Sequence, residues 1–151
     1  MQKCLICERI EMIKRNQNKS FVKEMPSGYV VLGDYQYYNG YTLFLSKNHT
    51  DELHKLTPKE RSQFLEDMAL TAEAVYKAFR PDKLNYELLG NSDSHLHWHI
   101  FPRYKDDPQA DRPVWVIPYS VRSADIPDEA KINELKNKLL NEIDKLIKAR
   151  G

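Results

Sequence analysis

The sequence predicts an α+β fold: about five short strands in an antiparallel sheet, with two main helices. Three observations predict it. Short β-rich runs are separated by the turn signals Pro26-Ser27-Gly28 and Asn39-Gly40. Two long stretches carry apolar side chains at helical spacing, Phe64 to Phe79 and Ile132 to Leu146. The chain has 151 residues, 41% hydrophobic and 30% charged, the size and balance of one soluble globular domain.

Phe21 to Glu24 reads as the first strand. Tyr29-Val30-Val31-Leu32 follows the Pro-Ser-Gly turn and ends at Gly33 as the second. After Asn39-Gly40, Tyr41-Thr42-Leu43-Phe44-Leu45 is short and apolar, the pattern of a buried strand. Thr57-Pro58-Lys59-Glu60 is a capping box with proline at the first helical position, so a helix begins there. Phe64, Met68, Ala72, Val75 and Phe79 form its apolar stripe, and Pro81 stops it. Asn85 to Leu89 reads as a strand, Gly90 to Ser94 as a polar loop, and His95 to Phe101 as a strand ended by Pro102. Residues 105–125 hold Pro108, Pro113 and Pro118 and read as irregular, with Val114-Trp115-Val116-Ile117 as a short strand inside them. A second helix starts near Pro127, with Asp128 and Glu129 where acids suit the helix dipole. Ile132, Leu135, Leu139, Ile143 and Leu146 form its stripe. No repeat, low-complexity tract or linker interrupts the chain, so residues 1–151 are expected to form one domain.

Composition excludes several classes. Lys plus Arg number 23 and Asp plus Glu number 22, for a formal net charge of +1. That balance lacks the basic footprint of a nucleic-acid binder and any general pull toward anionic membranes. No apolar run approaches the roughly 20 residues of a spanning helix. The N-terminus turns charged again at Glu8 and Arg9, without the apolar stretch of a secretory signal. The expected location is the cytoplasm. Cys4 and Cys7 are the only cysteines, so a disulfide scaffold is excluded. The pair is left for metal binding, redox chemistry or burial.

The segment that carries chemistry is His95-Leu96-His97-Trp98-His99-Ile100-Phe101. Three of the five histidines alternate with apolar residues. On a strand, residues two apart share a face, so the imidazoles line up roughly 6–7 Å apart along the backbone, with Leu96, Trp98 and Ile100 turned to the core. Such a row supplies nucleophiles, proton donors or metal ligands near pH 7. Three readings compete: a solvated strand face, a metal face, and nucleophilic catalysis in which one neutral histidine attacks an electrophile while a neighbour assists the leaving group. Three of five histidines at period two argues against the first.

His95 to Phe101 matches, at every position, the motif His-φ-His-φ-His-φ-φ of the histidine triad (HIT) superfamily. Cys4-x-x-Cys7, Lys47-Asn48-His49 and Pro102-Arg103 are likewise similar to bacterial HIT-domain proteins. The resemblance covers residues 3–104 and leaves 105–151 as a C-terminal extension with a helix. It implies a HIT-like fold and a hydrolase acting at the α-phosphate of diadenosine polyphosphates or nucleoside phosphoramidates. By position in the motif, His97 would be the nucleophile, forming a nucleotidyl-histidine intermediate that water cleaves to a nucleoside monophosphate. His99 would contact the phosphate or the leaving-group bridge and donate a proton. Asp34 would hydrogen-bond the ribose hydroxyls, against an alternative reading as a turn aspartate. Leu32 and Gly33, with Ile6 beside them, would line the base and sugar pocket. Asn91 and Ser94 are phosphate donors on this reading and ordinary hairpin residues on the other. Their loop lacks the Gly-Gln pair that better-known branches place before the triad.

The resemblance also implies structural zinc. In zinc-containing HIT proteins and the related galactose-phosphate uridylyltransferases the ligands are two cysteines, a distant histidine and the first histidine of the motif. The matching residues are Cys4, Cys7, His49 and His95, a closed Cys₂His₂ set that leaves His97 free. His54 reads as a surface residue, Trp98 as a core residue, Tyr35, Tyr37 and Tyr38 as pocket rim or dimer contact, and Arg103 and Arg112 as phosphate contacts or solvated side chains. HIT proteins of this size pair as homodimers, so a homodimer is expected. The expected partner is a small-molecule nucleotide, with neither membrane nor nucleic acid. Two alternatives stay open: a nucleotidyltransferase or phosphorylase with a phosphate or sugar-phosphate acceptor, and a nucleotide-binding module with little turnover. Histidine at 99, where the uridylyltransferases carry glutamine, favours hydrolysis, and an intact triad argues against binding alone.

Overall fold

In the computed structural model, which describes residues 3–151, the chain runs through helix α1 (Leu5–Lys14) and strands β1 (Phe21–Met25), β2 (Gly28–Leu32) and β3 (Thr42–Ser46). Helix α2 (Pro58–Phe79), strands β4 (Lys83–Glu87) and β5 (His97–Arg103), the one-turn helix α3 (Tyr119–Arg122) and helix α4 (Glu129–Arg150) follow. The five strands pair in the order β1-β2-β3-β5-β4, and every neighbouring pair is antiparallel. The predicted α+β class and strand number are therefore observed.

Local chemistry sets the ends of these elements. Only glycine fits at 28, after the β1–β2 turn, because a Cβ there would stand 2.2 Å from the Leu45 carbonyl oxygen and 2.7 Å from the Phe44 ring. The capping box of α2 is complete: Thr57 Oγ1 accepts from the Glu60 amide at 3.2 Å, and Glu60 Oε2 accepts from the Thr57 amide at 2.8 Å. Left-handed Arg80 closes the helix, and Pro81 prevents its continuation. Thr57→Ala is expected to lower stability by about 1 kcal/mol, read as a fall of roughly 2–4 °C in a thermal melt.

The sheet has two unlike faces because strand side chains alternate. Val30, Leu32, Phe44 and Ile100 point to one side, where α2 and α4 cover them with Phe64, Val75, Leu135, Leu139 and Ile143. Tyr29, Val31 and Leu45 point to the other, where α1 lays down Ile6, Ile10 and Ile13. The second face is covered by α1 over β2 and β3 only, so the β5 end of it stands open to the C-terminal segment.

Several boundaries differ from expectation. Helix α1 was not foreseen, although Ile6, Ile10 and Ile13 have its spacing; Leu5 and Met12 blur the stripe. Strand β4 lies two residues before the expected Asn85–Leu89. Strand β5 starts at His97 rather than His95 and passes through Pro102. Beyond Ile100 it has β4 alone as a partner, so a residue without an N–H is tolerated there. Val114–Val116 is a 3₁₀ turn, not a strand. Pro113 and Pro118 bracket it and leave too few residues to join a ladder.

Candidate active site

Strand register decides what the histidines face. Leu45 stands opposite His97, and Leu43 opposite His99, so both imidazoles share the α1 side of the sheet with Val31, Leu43 and Leu45. Their ring centroids are 4.9 Å apart. His97 is buried, and its Nδ1 lies 2.7 Å from the His95 carbonyl oxygen. A carbonyl only accepts, so Nδ1 carries the proton and Nε2 keeps its lone pair.

His99 is fixed in the opposite sense. Its Nδ1 lies 2.6 Å from the Tyr41 hydroxyl. The Tyr41 ring stacks on Phe101 with centroids 4.1 Å apart, and burial pushes its phenol far above the ordinary range, so the hydroxyl keeps its proton and donates it. His99 therefore presents Nε2–H. Beside the nucleophile-shaped ring stands a ring shaped as a donor, held by a tyrosine that the sequence reading treated only as a strand residue.

Burial, then the neighbouring His97 and Arg122, pushes the His99 imidazole down to about 4. The groups facing it are His97 on its own strand, Tyr41 beside β3, Glu87 opposite on β4, and Trp115 and Arg122 from the C-terminal segment. A folded value below the unfolded ~6.5 means that between about 4 and 6.5 the unfolded chain takes up a proton and the folded chain does not. This contribution to stability is present above pH ~6.5 and is lost as pH falls toward 4. Imidazole proton NMR should show His99 titrating near pH 4, with the unfolding midpoint declining over that window. Titration near 6.5 would contradict this picture.

Next to Tyr41, the same sheet face carries a cavity of about 140 Å³ lined by Ile6 and Arg9 of α1 with Val31, Leu32, Asp34 and Tyr41. Asp34 Oδ2 accepts from the Arg9 guanidinium at 2.8 Å. Gly33 lies against the Tyr41 ring, where a Cβ would approach to 2.1 Å, and its amide donates to the Tyr41 carbonyl. Ile6, Leu32, Gly33 and Asp34 are thus brought together, with Arg9 as a partner that the sequence reading did not single out.

A second cluster closes the other end of the histidine run. Cys4, Cys7, His49 and His95 turn their ligand atoms toward one point, all within 4.8 Å of one another. Cys4 Sγ and Cys7 Sγ lie 3.6 and 3.5 Å from His95 Nδ1. Cys7 Sγ is 3.3 Å from His49 Nδ1, and the two histidine nitrogens are 3.2 Å apart. Around a tetrahedral ion with ordinary zinc–sulfur and zinc–nitrogen bonds, sulfur–nitrogen edges are about 3.5 Å and nitrogen–nitrogen edges about 3.3 Å. These four edges match such an ion, so the set is compatible with zinc. His95 Nε2 lies 2.7 Å from the Ser46 carbonyl and must donate to it, which leaves Nδ1 free to coordinate. Three imidazoles in one row, as expected from the alternation, become two in a row and one drawn into the cluster.

Asn91 and Ser94 are exposed and border a hollow with Lys3, Cys4 and His49, at the cluster end rather than in the cavity. Trp98 packs against Phe64 in the main core, as expected. Tyr35 borders the cavity, while Tyr37 and Tyr38 pack around Phe101 and Val114. His54 is exposed. Arg103 is neither solvated nor free for phosphate: it is buried, paired with Asp107, and donates to Asn85 and to the Arg112 and Gln109 carbonyls. Arg112 is exposed.

A five-stranded antiparallel sheet presenting alternating histidines beside a small apolar cavity is the architecture of histidine triad proteins. The family model for the HIT domain matches residues 14–106, more than half of the chain, and the chain belongs to that family. Protein hit of Bacillus subtilis (strain 168) is 33% identical over 70 residues, 43% of this chain. The match spans about half of that relative's length, 48%. A histidine triad protein from Marinobacter aquaeolei VT8 superposes with a TM-score of 0.73 at 23% identity, over 83% of this chain and 89% of its own. A diadenosine triphosphate hydrolase from Plasmodium falciparum superposes with a TM-score of 0.63 at 14% identity, over 84% and 78%. No helix among the described residues is long and apolar enough to cross a membrane.

Proposed function

We propose that this protein hydrolyses nucleotides at the α-phosphate, with diadenosine polyphosphates or nucleoside phosphoramidates as substrates and a nucleoside monophosphate as product. The observation that carries the proposal is the tautomer pair on β5: His97 with Nδ1–H bound to the His95 carbonyl and Nε2 free, beside His99 with a donor on Nε2. The HIT family assignment and the hydrolase named among the structural relatives support it.

In the proposed sequence the His97 Nε2 lone pair forms a bond to the α-phosphorus. The bond from phosphorus to the bridging oxygen or nitrogen breaks, and its electron pair leaves with the leaving group, which accepts a hydrogen bond from His99 Nε2–H and takes its proton from solvent. Water then attacks phosphorus and loses a proton to solvent, and the P–N bond breaks with its electrons returning to His97 Nε2. One water is consumed for each monophosphate released. Two easier displacements replace one difficult one. Ile6, Leu32 and Gly33 enclose base and sugar, and Asp34 accepts from the ribose hydroxyls with the carboxylate oxygen that Arg9 leaves free. The cavity is small beside the roughly 300–1,000 Å³ of a drug-sized site, so the phosphates lie outside it over the histidines. Asn91 and Ser94 remain candidate phosphate donors.

Cys4, Cys7, His49 and His95 are proposed as a structural zinc site. A bound ion would supply a cross-link between the start of α1, the segment after β3 and the start of β5. This chain's own residues do the rest: His95 passes that anchoring to the nucleophile through its carbonyl. One domain over residues 1–151, a cytoplasmic location and a homodimer belong to the same proposal, with the open edge strand β4 and its exposed Tyr86 available for pairing.

Chromatography of the products tests the reaction. Diadenosine tetraphosphate and an adenosine phosphoramidate, each incubated with the protein at single turnover, should release AMP. Nucleotide binding without AMP would favour a binding module. AMP transfer only when phosphate or a sugar phosphate is supplied would favour a transferase.

A further inference from the structure

The C-terminal extension, outside the family match, folds back over the open part of the histidine face. The Trp115 ring stands edge-on to His99, with centroids 5.8 Å apart and planes at 88°, and edge-on to Phe101 at 5.9 Å. Its indole N–H donates to the Glu87 carboxylate, which the β4–β5 register sets opposite His99. The segment is tied down at its far end: the Gln36 amide donates to the Asp125 carbonyl at 2.9 Å, and the Tyr35 and Tyr119 hydroxyls meet at 3.0 Å.

Arg122 is the cation of this segment nearest the triad. Its guanidinium carbon lies 4.8 Å over the Trp115 ring and 5.7 Å from the Tyr119 ring centre, and its Nε donates to the Ile117 carbonyl at 3.0 Å. The head group is thus held in one place. Among the described residues its two terminal amino groups have no hydrogen-bond partner and it forms no ion pair, while Glu87 Oε2 accepts from Trp115. Its charge reaches the site: it helps push the His99 imidazole down and helps hold the Glu87 carboxyl down against burial. A half-buried guanidinium, oriented by stacking and left with free donors beside a phosphoryl-transfer face, suits a phosphate group.

We propose that Arg122 is a specificity residue that binds the leaving-group phosphate, so that the site prefers substrates whose leaving group carries phosphate over those that release an amine. This rests on the α-phosphate hydrolase reading above. The test compares kcat/KM for diadenosine tetraphosphate and for an adenosine phosphoramidate in the wild type, Arg122→Gln and Arg122→Lys. Loss of a charged hydrogen bond predicts a fall of about 10- to 100-fold on the polyphosphate in Arg122→Gln, with the ratio of the two substrates shifting at least about tenfold toward the phosphoramidate. Arg122→Lys, which keeps the charge and loses the fork, should recover part of that ratio and guards against a folding defect in the glutamine variant. An unchanged ratio, whether both activities fall together or neither falls, would overturn the proposal and leave the hydrolase reading intact. A wild type that releases AMP from neither substrate would overturn the hydrolase reading and this proposal with it.

Discussion

Replacing His97 with alanine is expected to lower AMP release by about 10³-fold or more while the fold and nucleotide binding persist. The magnitude follows from the role. Without Nε2 there is no covalent intermediate, and residual turnover would need direct attack by water. The fold should tolerate the change because, among the described residues, the ring's hydrogen bond runs only to the carbonyl two residues earlier. Product chromatography with a thermal melt of the same sample checks both halves. Full activity in a folded His97→Ala variant would remove His97 as nucleophile. His99→Ala should cost less, since it removes a hydrogen-bond donor to the leaving group that solvent partly replaces.

The second large effect concerns the Cys/His cluster. As purified, the protein should carry about one zinc per chain by elemental analysis. Ion bound a thousandfold above its dissociation constant stabilises the folded state by about 4 kcal/mol, so chelation should lower the melting temperature by roughly 8–16 °C. Cys7→Ser or His49→Ala should reproduce that loss without chelator. Activity should fall with the metal, because His95 belongs to both systems: its ring to the cluster and its carbonyl to His97. A melting point indifferent to chelator and to both substitutions would mean that the four residues hold no structural ion.

Much of this was legible in the residues, for identifiable reasons. The capping box at Thr57 and the stripe from Phe64 to Phe79 are local signals, and α2 follows them. The alternation from His95 to Phe101 is equally local, and it puts His97 and His99 on one face. The Cys4/Cys7/His49/His95 grouping joins residues up to 91 positions apart: the spacing of Cys4 and Cys7 is a local signal for metal, whereas His49 and His95 join them only through the family resemblance. What escaped reading is tertiary. Tyr41 looks like an ordinary strand residue until the β3–β5 pairing brings its hydroxyl to His99, 58 positions away. Arg9 meets Asp34 only once α1 exists, and α1 was hidden by Leu5 and Met12 beside its stripe. Trp115 and Arg122 sit in a proline-rich stretch with no periodicity, so only the folded chain reveals that they border His99.

The most direct test of the central claim is to trap the covalent intermediate. The protein would be mixed with excess diadenosine tetraphosphate, quenched at alkaline pH where a phosphoramidate survives, digested and mapped by mass spectrometry. One adenylyl group on the peptide bearing His97, absent from His97→Ala, is the expected result. AMP accumulating with no adenylated peptide, or with the adduct on another residue, would contradict it.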